Sequence, residues 1–201
     1  MRQQLLRGGL RLSLGLVPSD LGAVVVVARL VADGGPISTS FGSAAALSLE
    51  AAAVKAVVEA CLVRHTLLTR ITIEPPRPTN PRVAEPVDFH EHGLAWMTAD
   101  PAASDWLFDS AAVAAVPPLA KGLHELVQRV HTAGYQPLGA DLVTPAFASG
   151  WHAVRVVVPG LQPLNPGRHK VMTDSPRLRR VAGLAPDRKM MPLNIEVHPW
   201  C

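Results

Sequence analysis

Residues 10–17, LRLSLGLV, alternate between apolar and small or polar positions until the last pair. This is the pattern of a strand with one buried face. After a turn at Pro18–Gly22, residues 23–31, AVVVVARLV, form a continuous, largely β-branched run. That predicts a strand buried on both faces, and the two segments together predict a hairpin or two neighbouring sheet strands. Asp33-Gly34-Gly35-Pro36 then forces a second turn. Residues 37–48, ISTSFGSAAALS, are small and read as a connection into a helix. Gly42 among Ser38, Ser40 and Ser43 would let backbone amides approach a phosphate, but the spacing matches no P-loop, and a plain loop is the expectation.

Ser48 to Arg70, SLEAAAVKAVVEACLVRHTLLTR, is the longest segment with helix chemistry. Ser48 is placed to cap it, Glu50 suits the positive end of the helix dipole, and alanine fills much of the interior. Val54, Val57, Val58, Cys61, Leu62 and Leu68 recur at three- and four-residue steps and predict the apolar face. Glu59 interrupts this face. It is either a solvated carboxylate paired with Lys55 one turn back, or a carboxylate aimed into a site; pattern alone does not choose.

Five prolines make residues 74–88 an extended, helix-free stretch. His90 and His92 alternate in FHEHGLAWMTADP, so on a strand they would share a side. No third ligand stands at a supporting spacing for zinc. Asp100 and Pro101 open a short helix to Phe108, anchored by Trp106, Leu107 and Phe108. Residues 119–133 predict an amphipathic helix with Leu119, Leu123, Leu126, Val127 and Val130 on one side, closed by Gly134. Residues 136–143 and 152–158 read as strands, with Asp141 capping or hydrogen-bonding at a strand end. From about residue 160 to 201 prolines recur and periodicity fades. The order of elements predicts an α+β fold, a single domain over 1–201 in which helices cover one face of a mixed or antiparallel sheet.

Composition narrows the function classes. Hydrophobic residues make up 48% of the 201 and charged residues 17%, so there is ample material for a core. The net charge of +3 is too mild to argue for nucleic acid, and no aromatics interleave with a basic patch. The run Arg177–Arg180 reads as a solvated surface or a local carboxylate partner. AVVVVARLV is far too short to cross a membrane, and the N-terminus makes a poor signal peptide. Two cysteines, Cys61 and Cys201, do not make a disulfide framework. A reduced cytoplasm is the default location. No G-x-S-x-G elbow supports Ser/His/Asp catalysis.

Four segments carry a resemblance. AVKAVVEACLVR (53–64) is similar to an alanine-rich helix with Glu-Ala-x-Gln-x-Arg. EHGLAWMTADP (91–101), followed by Trp106-Leu107-Phe108, looks like a segment reading Asp-His, small apolar residues and a proline-led short helix. GYQPLGADLVTP (134–145) with VRVVVPGL (154–161) resembles a strand pair bearing Asp-Leu-Thr and Val-Pro-Gly-Leu. NIEVHPW (194–200) is similar to a terminus Asn-Pro-x-Pro-His-Pro-Phe. In this order they resemble the C-terminal half of YcaO-domain proteins, in particular the cyclodehydratases that form azoline rings in ribosomal peptides.

The resemblance implies an ATP-dependent reaction. A Cys, Ser or Thr side chain of a precursor peptide attacks the preceding amide. Phosphorylation of the amide oxygen makes it a leaving group. Mg²⁺ must neutralise the triphosphate, and carboxylates must hold the metal. The resemblance assigns Glu59 to the metal, Arg64 to a phosphate, and His198, in the terminal motif, to the catalytic site. The sequence also departs from the family. Leu62 stands where the family has glutamine. Ile195 and Val197 replace prolines, and Trp200 replaces phenylalanine. Nothing in residues 1–47 resembles the family's Ser-rich and Gly-Lys-Gly segment or its Glu-x-x-Glu-Arg helix. Three readings follow: one part of a split cyclodehydratase completed by a partner chain, a non-catalytic scaffold of a peptide-modifying complex, or a reading frame that extends upstream of Met1.

Overall fold

The computed structural model describes residues 8–17, 19–73, 89–108, 118–143, 152–161 and 176–181. They fall into two compact units, one comprising described residues up to 119 and the other those from 120 onward. The proline-rich stretch 74–88, His198 and Cys201 lie outside the described residues. Among the described residues no helix is long and apolar enough to cross a membrane.

The first unit is built on a three-stranded antiparallel sheet in the order β1-β2-β3: β1 Leu10–Val17, β2 Val24–Ala32 and β3 Thr39–Ala46. The expected hairpin pairs Leu10 with Ala32 and Val17 with Val25. β2 is the central strand, and its unbroken valine run is buried along both faces, as a strand packed on two sides requires. Val24, Val26, Ala28 and Leu30 meet Ala52, Ala56, Val57 and Ala60 of α1, Leu49–Ile71. On the other face Val27 and Phe41 meet Ala95, Trp96 and Ala99, from α2, Phe89–Met97, and the loop after it. Phe41 and Trp96 pack edge to face, with centroids 5.4 Å apart and planes at 74°. Such a pair stabilises by about 0.5–1.5 kcal/mol beyond its buried area. A 3-10 helix, Pro101–Leu107, follows, capped by the Asp100 side chain, and its Leu107 joins Phe108 on this second cluster while Trp106 is exposed.

Three expectations are corrected here. Residues 39–46 are an edge strand, not a loop, pairing Val31 with Thr39 and Val24 with Ala46. Their α1-facing positions, Ser40, Gly42, Ala44 and Ala46, are small because the helix lies almost on the strand backbone. Second, the buried face of α1 is Ala52, Ala56, Val57, Ala60 and Leu67, whereas Val54, Val58, Leu62 and Leu68 are exposed. Close approach selects alanine for the contact, so the larger residues are turned aside. Third, residues 89–97 are helical, so His90 and His92 do not alternate on a strand, and His92 is buried.

In the second unit the helix is shorter than expected, α3 at Leu123–Thr132, and Leu123 is exposed. Gly134, at φ 87°, ends it, and the Tyr135 N–H returns to the Val130 carbonyl at 3.1 Å, the expected glycine stop. β4, Leu138–Asp141, and β5, Val154–Val157, form an antiparallel ribbon exposed along both strands. The Asp141 side chain accepts from the Val143 N–H at 3.0 Å, the predicted role at a strand end. The basic run meets an aromatic ring. In α4, Pro176–Val181, Arg180 donates to the Ala133 carbonyl and to the Tyr135 hydroxyl, and the Arg177 and Arg180 guanidinium groups lie over the Tyr135 ring.

Glu125 opens α3 and accepts from the Lys121 N–H at 2.8 Å and from Arg129. These bonds, the backbone amide first, hold its carboxyl below the ordinary value of 4.5. A depressed carboxyl stabilises the folded state at pH above its unfolded value and loses that contribution as pH falls through the folded value. Unfolding midpoints of wild type and Glu125→Gln are therefore expected to differ at pH 7, and the gap to close as pH falls from 4.5 through the lower folded value.

Candidate functional site

The predicted site residues lie on α1, and its seat on the sheet sets where they point. Ser48 caps the helix by accepting the Ala51 N–H at 3.2 Å. Gly42 lies beneath it. A Cβ there would stand 2.9 Å from the Glu59 carbonyl carbon and closer still to the Ala60 nitrogen and Ala56 oxygen. This contact carries Glu59 to the edge of β3 that pairs with no strand among the described residues, where its Oε2 accepts the Ser43 N–H at 2.5 Å. Glu59 is half-buried. Among the described residues Oε1 has no hydrogen-bond partner, and no ion pair joins Glu59 to Lys55, which is exposed. The carboxylate is thus turned onto the sheet edge and away from the solvated Lys55 pair.

Arg64 leaves the helix elsewhere. Its Nη1 donates to the Ile37 carbonyl at 2.8 Å, and burial lowers its pKa, partly offset by nearby Cys61. Its other N–H groups have no hydrogen-bond partner among the described residues. Next to Ile37, the Ser38 N–H donates to the Met97 carbonyl at 2.8 Å, and the Ser38 hydroxyl lies 2.9 Å from the Ala99 carbonyl. Arg64 therefore helps tie the entry of β3 to α1. Arg64 lies five positions after Glu59, about 140° around a helix axis, so the two emerge on different flanks and the structure does not bring them together. Among the described residues no three His, Cys, Asp or Glu side chains cluster as a metal site. An open cleft of about 480 Å³ at the C-terminal end of α1 is lined by His65, Thr66, Thr69, Arg70 and Ile73, and by neither Glu59 nor Arg64.

Sequence reasoning missed two polar devices. One is the Ser43 amide. The other is Arg29, buried within β2, whose Nη1 reaches the Pro101 carbonyl, Ser104 and Asp105 at 2.7–2.8 Å. An arginine inside a valine run was the available signal for the second.

The family model described as YcaO cyclodehydratase, ATP- and Mg²⁺-binding, matches residues 1–162. The chain belongs to the YcaO family. Two heterocyclases are among the solved structures that share the fold. One is a heterocyclase in complex with substrate and cofactor, with TM-score 0.56 and 18% identity, over 80% of this chain and 21% of that one. The other is the heterocyclase TruD, with TM-score 0.57 and 18% identity, over 96% of this chain and 26% of that one. This YcaO chain therefore spans about a fifth to a quarter of the length of those heterocyclases. No curated protein matches it.

Proposed function

We propose that this YcaO chain is one component of an ATP-dependent cyclodehydratase that forms azoline rings from Cys, Ser or Thr of a precursor peptide. The complementary part of the domain comes from a partner chain. The observation that carries this reading is the Glu59 carboxylate, half-buried on the family helix with Oε1 uncommitted. Mg²⁺ takes one or two protein carboxylates together with phosphate oxygens and waters, so a single carboxylate fits as one ligand. The remaining N–H groups of Arg64 are a separate phosphate contact on the other flank. His198 is the catalytic candidate of the terminal motif. When bound, Mg²⁺ and ATP supply the phosphoryl transfer that turns an amide oxygen into a leaving group.

The test is reconstitution. Ring formation, read by loss of 18 Da per ring, is expected only when ATP, this chain and a companion carrying the Gly-Lys-Gly and Glu-x-x-Glu-Arg segments are mixed. ATP binding at ordinary affinity by this chain alone would argue against the split. Leu62, apolar and 61% exposed at the family's glutamine position, favours a second reading, a scaffold that holds a partner without turnover. Glu59→Ala separates them: product yield falls at least tenfold if Glu59 holds the metal and is unchanged if the chain is a scaffold.

A further inference from the structure

We infer that the Ser43 amide, brought within reach by Gly42, is the positioning group for Glu59, holding its carboxylate with one oxygen occupied and the other presented to a cation. This rests on the metal assignment above. A glutamate on a helix flank has three rotatable side-chain bonds, and ordering them opposes binding. Here Oε2 is fixed on a backbone N–H at 2.5 Å, a charge-assisted bond to a strand amide. That N–H belongs to the sheet edge, because β3 is the outer strand next to β2. Gly42 is the precondition: any side chain there would push the Ala56–Ala60 turn of α1 off the strand and withdraw Glu59 from the amide. One backbone donor at a close crossing thus removes the rotational freedom of a single carboxylate, in a place where no group of three metal-ligating side chains forms among the described residues.

Ser43→Pro removes the donor and also fixes φ at that position. Proline is tolerated on an edge strand where the N–H points away from the ladder, and the preceding residue is glycine. The experiment titrates the full chain, isotopically labelled, with Mn²⁺ alone, reading affinity by water relaxation and location by line broadening. Mn²⁺ is expected to broaden residues around Glu59, Glu59→Gln to abolish this, and Ser43→Pro to weaken binding roughly five- to tenfold with Glu59 still present. Glu59→Asp keeps the charge but falls one methylene short of the amide. It makes the same test without altering the strand, and its weaker Mn²⁺ binding should coincide with faster hydrogen exchange at Ser43. Equal Mn²⁺ affinity in wild type, Ser43→Pro and Glu59→Asp would overturn the positioning role and leave the metal assignment standing. Mn²⁺ binding that Glu59→Gln leaves unchanged would overturn both.

Discussion

Gly42→Ala is expected to cost about 3 kcal/mol, at the upper end of the range for overpacking a well-packed interior. The reason is the identity of the atoms the new methyl would meet. The Ala60 nitrogen, the Ala56 oxygen and the Glu59 carbonyl carbon are all helix backbone, so no side-chain rotation makes room. Relief requires lifting α1 from the sheet, which also uncovers Ala52, Ala56 and Ala60. Gly139→Ala is the control, because a Cβ there meets nothing within 4 Å, and its effect should stay within about 0.5 kcal/mol. Urea midpoints of the two variants against wild type make the comparison. A loss below about 0.5 kcal/mol for Gly42→Ala would mean the helix does not sit this close to β3.

The same crossing explains what could be read from the sequence. β1 and β2 were legible because strand pairing there is recorded in period-two alternation and in a valine run. β3 was not. Its α1-facing positions are serine, glycine and alanine, chosen for the space they leave, and small residues carry no hydrophobic period. α1 was legible as a helix from its cap and alanine content, yet its buried face was misjudged for the same reason. The largest side chains are the usual guide to a core, and here Ala52, Ala56 and Ala60 hold it while Val54, Val58 and Leu62 are exposed. An alanine repeat at four-residue steps opposite an alternating small-residue strand is the joint signal, visible only when the two segments are read together.

The candidate site divides in a similar way. Glu59 stood out because a carboxylate interrupts an apolar helix. Its partner did not, because a backbone amide leaves no trace in the residue types. Arg64 was singled out through family resemblance as a phosphate contact, and its position shows a bond to the Ile37 carbonyl on a different flank. Resemblance transfers residue types along a helix. It does not transfer which direction each side chain takes once the helix is seated.

Arg29→Ala is expected to cost about 3 kcal/mol, while Asp105→Ala should cost only about 1 kcal/mol, although the two residues form one ion pair. Exposure decides the difference. The Arg29 side chain is 10% exposed and that of Asp105 66%, at a separation of 2.7 Å. Water can take the place of the Asp105 carboxylate, and Nη1 still has the Pro101 carbonyl and the Ser104 hydroxyl, each at 2.8 Å. Removing the arginine leaves no such substitute. The 3-10 helix loses its bond through the Pro101 carbonyl, buried Ser104 loses a donor, and Phe108 loses the cation 4.3 Å above its ring. A void is also left beside the Val27–Phe41–Trp96 cluster. Arg29→Met should fall between the two variants, since it refills the space without the hydrogen bonds. Urea midpoints of the three variants measure the order. Equal losses for Arg29→Ala and Asp105→Ala would show that the carboxylate alone holds the arginine and that the backbone carbonyl contributes little.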